Sequence, residues 1–210
     1  GNTKYTAGAM RFPYENSEEL LPLLANPDDE RISRTDFGTY TKENFSNDLL
    51  DFNEGRPLSS EQTYLVSESY DAVKWLAGHG VTYEPIYSRQ SFEKDNKIIF
   101  WGGLALAARD EGVGLYNMEA KTFKTLGGSI RFNAGVSELM TSDQNVSGVI
   151  VGGEKYKADA VILACGGFEA NNKLREEEFG LDWKKAKVRG TPHNTGAVSY
   201  THLTLPTSPH

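Results

Sequence analysis

The run Ala158–Glu169, ADAVILACGGFE, carries an uninterrupted apolar stretch straight into two glycines, Gly166 and Gly167. A backbone stripped of side chains at the end of a buried strand admits the close approach of something else, either a bound group or the chain's own next turn. Small residues also gather in GNTKYTAG at Gly1–Gly8 and in TPHNTG at Thr191–Gly196.

Other chemistry-bearing residues are sparse. Cys165 is the single cysteine, so no internal disulfide and no cysteine-cluster metal site can form. Its place in the apolar run predicts a buried, inert thiol. His79 stands between Gly78 and Gly80 and reads as a capping residue at a helix C-terminus. His193 reads as a solvated loop residue. No His, Asp or Glu grouping has metal-ligand spacing, and no nucleophile–base pair stands out.

The 210 residues suffice for one good core or two small ones. With 38% hydrophobic residues and a net charge of −7, the composition is that of an ordinary acidic soluble protein. There is no basic block for nucleic acid. The longest apolar run, AVILAC, is far too short to span a bilayer. The chain has neither a start methionine nor a signal-peptide pattern and opens as though in mid-sequence, so export cannot be judged from it; the default location is the cytoplasm.

Periodicity places the supporting elements. A short helix is expected over Ser17–Leu24 with Ser17 as N-cap, and another from near Thr41. The clearest helix runs from about Glu61 to Ala77, with Leu65, Ala72, Val73 and Leu76 on its apolar face and Gly78 or Gly80 ending it. Val81–Ile86 and KIIFWGGL read as strands, and Leu115–Leu126 as an amphipathic helix. The period then shortens to that of strands at Ser129–Phe132, Val136–Met140, Val146–Val151 and Tyr156–Ala158, the middle pair a hairpin around SDQN. Ala160–Ala164 lacks polar alternation and is expected as a central strand covered on both faces.

The last stretch, AVSYTHLTLPTSPH, breaks this style. Val198–Thr207 fits the codons of the transposon-end adapter used to prepare DNA sequencing libraries. The expectation is therefore a non-native, disordered tail over residues 198–210, with Ala197 at the junction.

Residues 1–196 resemble the fumarate reductase and succinate dehydrogenase flavoprotein family. The resemblance rests on GNTKYTAGAMR, on GGSIRFNAGVSELM…VSGVIV…KADAVILACGGFEAN, and on TPHNTG as the start of a T-G-D-G turn. It implies an α/β fold: an incomplete Rossmann-like FAD-binding domain over residues 1–197, with a β-hairpin/meander insertion. The first βαβ unit and the substrate-capping domain are expected to be missing. FAD is the implied cofactor, its pyrophosphate met by backbone N–H groups where side chains would hold the chain away. By the same resemblance, Gly1, Asn2 and Thr3 match positions contacting the phosphates and ribityl chain. Thr6, Ala7 and Gly8 match positions against the isoalloxazine, Val136 a backbone contact to adenine, and Ala164, Gly166, Gly167, Thr195 and Gly196 the remaining cofactor contacts. Cys165 replaces a usual threonine, and Ala197 stands where the turn's aspartate belongs. The G-x-G-x-x-G fingerprint should precede Gly1, so weak FAD binding is expected of this chain.

The stretches NTKYTAGAMRFPY, TDFGTYTKENFSNDL, WLAGHGVTYEPIYSRQSFEKDNKIIFWGGL and VRGTPHNTG resemble the tricarballylate dehydrogenases within that family. That branch implies dehydrogenation of a di- or tricarboxylate, tricarballylate to cis-aconitate, with hydride passing to flavin N5. The segment ALAARDEGVGLYN departs from the branch in being less glycine-rich. Arg11, Arg89 and Gln90 flank loops able to approach a flavin. Arg89 and Gln90 are the candidate substrate contacts, though a surface salt bridge explains Arg89 as well. The proton-handling arginine and carboxylate-binding histidine of the family fall beyond the T-G-D-G turn. An electron-acceptor protein or quinone-linked partner is implied, with no nucleic acid and no membrane span. Fumarate reductase, aspartate oxidase and ketosteroid dehydrogenase are alternatives within the family; a non-enzymatic binding domain is the alternative outside it.

Overall fold

The computed structural model describes residues 1–142 and 145–196. The proposed tail at 198–210, the junction Ala197, and Asp143 and Gln144 of the SDQN turn lie outside the described residues. The chain divides into two compact units, one of Thr3–Gly128 and one of Gly1–Asn2 with the chain from Ser129 onward. Both are built of small sheets and short helices, a mixed α/β architecture.

In the Thr3–Gly128 unit, β1 (Ala9–Met10) and β2 (Thr35–Asp36) precede α1 (Lys42–Phe52) and α2 (Ser60–Gly78). Then come β3 (Tyr83–Pro85), α3 (Tyr87–Gln90), β4 (Ser91–Lys94), β5 (Lys97–Phe100), β6 (Leu106–Ala108) and α4 (Glu111–Thr125). One sheet has the order β1-β6-β3 with antiparallel pairs, such as Met10 opposite Leu106 and Tyr83 opposite Ala108. The other has the order β2-β5-β4, in which β2 runs parallel to β5 and β4 antiparallel to it. The β4–β5 hairpin closes on Asp95 and Asn96, both at positive φ (52° and 60°), a conformation these two residue types tolerate and tight hairpins require.

Helices α1 and α2 start where their caps put them. The Thr41 side chain accepts from the Asn44 backbone, and Ser59 does the same for Gln62, each with a reciprocal side-chain bond. The core between helices and sheets holds Phe12, Tyr14, Leu20, Phe37, Tyr83 and Leu106, and the Tyr14 hydroxyl donates to the Phe37 carbonyl at 2.8 Å. At the start of α4 a Cβ on Gly112 would overlap the Thr3 carbonyl oxygen, so glycine is what lets the first residues of this unit lie on the helix.

Several expectations are corrected. Ser17–Leu24 is not one helix but two 3-10 turns, Ser17–Glu19 capped by Asn16, and Leu21–Leu23, because Pro22 has no N–H for a longer ladder. The buried stripe of α2 is Val66, Ser69 and Val73; Leu65 is 48% exposed and Ala72 is exposed. The fourth helix begins at Glu111, not Leu115.

In the second unit β7 (Val136–Ser142), β8 (Asn145–Val151) and β9 (Glu154–Lys157) form an antiparallel meander, with Leu139 opposite Val149 and Val149 opposite Tyr156. The hairpin of the sequence reading is present. After it come α5 (Asn172–Phe179) and a 3-10 turn, Leu181–Lys185. Ser129–Phe132 forms no strand, and the Arg131 guanidinium lies over the Tyr156 ring at 4.9 Å. The expected central strand Ala160–Ala164 is also absent: the segment has no regular structure and Ile162 is 91% exposed. An apolar run becomes a strand only where neighbours take its backbone hydrogen bonds, and no described strand pairs with this one. Cys165, expected buried, is exposed for the same reason.

Candidate functional site

The glycines after the apolar run form a corner organised by polar side chains. Gly166 has φ +77°, and a Cβ there would overlap the Asn194 amide; Gly196 has φ +95°, and its Cβ would meet Leu174 Cδ1 at 2.8 Å. The Gly196 N–H donates to the Gly167 carbonyl (3.2 Å) and the Ala170 N–H to the Asn194 carbonyl (2.8 Å), so the two glycine segments lie side by side. Asn171 fixes their spacing. Its Oδ1 caps α5 by accepting from Lys173 and Leu174, and its Nδ2 donates to the Thr195 carbonyl at 3.0 Å.

Asn2 joins the same corner. Its Oδ1 accepts from the Thr191 N–H at 2.7 Å, and its Nδ2 donates to Glu169 Oε1 at 2.9 Å. Asn194 Nδ2 donates to that same oxygen at 2.6 Å. The Glu169 carboxyl is held below its ordinary pKa, first by its own backbone N–H, then by the Asn194 and Asn2 amides. The N–H groups of Gly166 and Gly167 find no acceptor among the described residues.

Of the sequence candidates, this unit therefore brings Asn2, Gly166, Gly167, Thr195 and Gly196 together. Gly1 meets nothing within 4 Å of its Cβ position, Ala164 is exposed, and Val136 opens β7 at 52% exposure rather than in a core. His193 is an exposed loop residue. Glu169, Asn171 and Asn194 were not singled out in the sequence. Asn171 carried a readable signal as an N-cap before NKLREEEF, whereas the Glu169 partnerships join positions far apart in the chain.

The remaining candidates belong to the Thr3–Gly128 unit. Thr6 Oγ1 accepts from the Gly8 N–H (3.2 Å), the Thr6 carbonyl accepts from Gly112 (3.1 Å), and the Gly8 carbonyl from Ala108 (2.8 Å). Gly8 is buried at φ +67° with its Cβ position 3.0 Å from the Glu111 backbone, so its fold role is to seat α4. Ala7 is half-buried; Thr3 is exposed.

Arg89 lines a cleft of about 530 Å³ together with Arg31, Tyr87 and Arg109. Each guanidinium faces a carboxylate: Arg31 with Asp29 at 2.5 Å, Arg89 with Glu111 at 2.8 Å, Arg109 with Glu84 at 3.4 Å. The Arg31 hydrogen bonds pull Asp29 down to about 2. The Arg89–Glu111 and Arg109–Glu84 pairs are exposed and hold weakly, so a ligand carboxylate can compete for either guanidinium at small cost. Gln90 does not line the cleft; its backbone bonds Ile86 and Trp101. Arg11 is committed elsewhere, donating to the Tyr40 hydroxyl and to Asp48, both at 2.9 Å. His79 is the C-cap of α2, its Nδ1 2.7 Å from the Trp75 carbonyl.

Among the described residues no three His, Cys, Asp or Glu side chains are grouped to hold a metal, and no helix is long and apolar enough to cross a membrane. The corner's fit to FAD is the pair of adjacent N–H donors at Gly166 and Gly167, the group a phosphate takes; the space beside Gly166 and Gly196 is filled by Asn194 and Leu174. A search of curated proteins finds no match. The family model described as flavin containing amine oxidoreductase matches residues 5–210. The chain belongs to that family, and with it to the FAD-dependent oxidoreductases.

Proposed function

We propose that the chain serves an FAD-dependent dehydrogenation of a small polycarboxylate, tricarballylate to cis-aconitate in the form its sequence most resembles. The observation that carries the cofactor half is the pair of unaccepted N–H groups at Gly166 and Gly167 in a corner closed by Gly196. FAD, when bound, would supply the two-electron acceptor for removal of hydride and proton from adjacent carbons of the substrate, the proton going to a base that this chain's candidate residues do not provide. The corner is proposed to hold the phosphates; the family resemblance alone assigns Thr6, Ala7 and Gly8 to the ring system and Val136 to adenine.

The substrate half is supported by the long stretches resembling tricarballylate dehydrogenases and by the arginines of the cleft. Arg89, in its lining, is proposed to grip a substrate carboxylate by leaving Glu111, with Gln90 nearby in sequence. Oxidation of an amine is the second reading, favoured by the family match itself and by the acidic lining of Glu84, Asp110 and Glu111 in the same cleft.

Anaerobic mixing of the FAD-loaded protein with tricarballylate, succinate, L-aspartate or a primary amine separates these readings. Bleaching of the flavin by tricarballylate, weakened in Arg89→Lys through a higher KM, supports the first. Bleaching by the amine alone replaces it with the second.

A further inference from the structure

Glu169 stands in the glycine corner as an acceptor held in place by its neighbours. Its Oε1 accepts from both Asn2 and Asn194, at 2.9 and 2.6 Å, so the side chain is held from two directions. Its Oε2 takes no hydrogen bond from another residue and lies 3.1 Å from where a Gly167 Cβ would stand. Any side chain at 167 would crowd that oxygen; glycine leaves it open.

A carboxylate accepts and does not donate, and its charge repels a phosphate. The neighbouring Gly166 and Gly167 N–H groups do the opposite: they only donate, and their partial positive charge favours an anion such as phosphate. An acceptor and anion donors side by side match a ligand that carries hydroxyls next to phosphate. We propose that Glu169 is a binding residue for a sugar-type hydroxyl of the cofactor, taking the hydroxyl's hydrogen on Oε2 while the glycine amides take the adjacent phosphate. The proposal rests on the FAD reading of this corner. The same hydroxyl chemistry occurs in the ribityl chain and in the ribose of FAD.

The test is an amide-resolved NMR titration of the chain and of Glu169→Gln with FAD, riboflavin and ADP. The glutamine keeps an Oε1 for Asn2 and Asn194, and unchanged Thr191 and Asn194 signals show the corner intact. A charge-assisted bond replaced by a neutral one weakens FAD about tenfold. A matching loss for riboflavin alone assigns the ribityl chain, and for ADP alone the ribose. In the unsubstituted chain the Glu169 carboxylate carbon shifts on FAD addition, a second readout should the variant lose the corner. Unchanged FAD affinity in Glu169→Gln, or an unmoved carboxylate carbon while the Gly166 and Gly167 signals shift, overturns the proposal and leaves the FAD reading standing. FAD that moves no corner signal in the unsubstituted chain overturns both.

Discussion

The Thr3–Gly128 unit and the unit that runs on from Ser129 hold their shapes by different means. The first buries aromatic and aliphatic side chains from its helices, from β3, β5 and β6 and from the segments between, including Phe12, Leu20, Phe37, Tyr83 and Leu106. In the second, Leu139 is the buried hydrophobic side chain among the described residues, while Phe132, Ile162 and Leu181 are 68%, 91% and 73% exposed. Its candidate site is positioned by the amides and carboxylate of Asn2, Glu169, Asn171 and Asn194. Buried apolar side chains contribute about 1.5–3 kcal/mol each, while a typical hydrogen bond nets about 1 kcal/mol. The Thr3–Gly128 unit is therefore the more stable one and the glycine corner the more pliable one, as ligand-binding segments tend to be.

The widest gap should appear on truncating an apolar side chain in each. Phe12→Ala removes a ring packed 5.9 Å from Tyr70 and 6.2 Å from Tyr14, and should cost about 3–5 kcal/mol in denaturant unfolding. Ile162→Ala should stay within about 0.5 kcal/mol. Equal losses would dissolve the distinction.

Alkali should separate the units next. Burial pushes the Tyr83 hydroxyl up to about 12. Its folded pKa exceeds the unfolded value, so its contribution is whole below pH 10 and fades as pH climbs from 10 towards 12, on the order of 2–3 kcal/mol. Tyrosine absorbance followed alongside circular dichroism should show ionisation of Tyr83 coinciding with loss of the first unit. A smaller effect is expected at the caps. Ser59→Ala and Asn171→Ala should each cost about 1 kcal/mol of helix stability, but Asn171→Ala alone should also shift the Thr195 and Gly196 amide signals, because its Nδ2 holds the Thr195 carbonyl.

Sequence patterns revealed most where the deciding interactions are local. The β7–β8 hairpin follows from alternation around a polar turn, and α1 and His79 from cap chemistry at neighbouring positions. The buried face of α2 was misread because several apolar stripes coexist on it, and packing selected Val66, Ser69 and Val73 over Leu65. Ala160–Ala164 was misread because apolarity marks a strand's environment, not its ladder partners. In the site, Gly166 and Gly167 were visible as residue types, whereas Glu169 was silent until the fold brought Asn2 and Asn194 to one of its oxygens.

Cys165 follows that misread run and touches the glycine corner through its own peptide bond. As the single thiol of the chain, and an exposed one, it offers a unique attachment point for a maleimide dye. Emission from such a label would report a nucleotide arriving one residue away, and air oxidation without reductant would link two chains through the same sulfur.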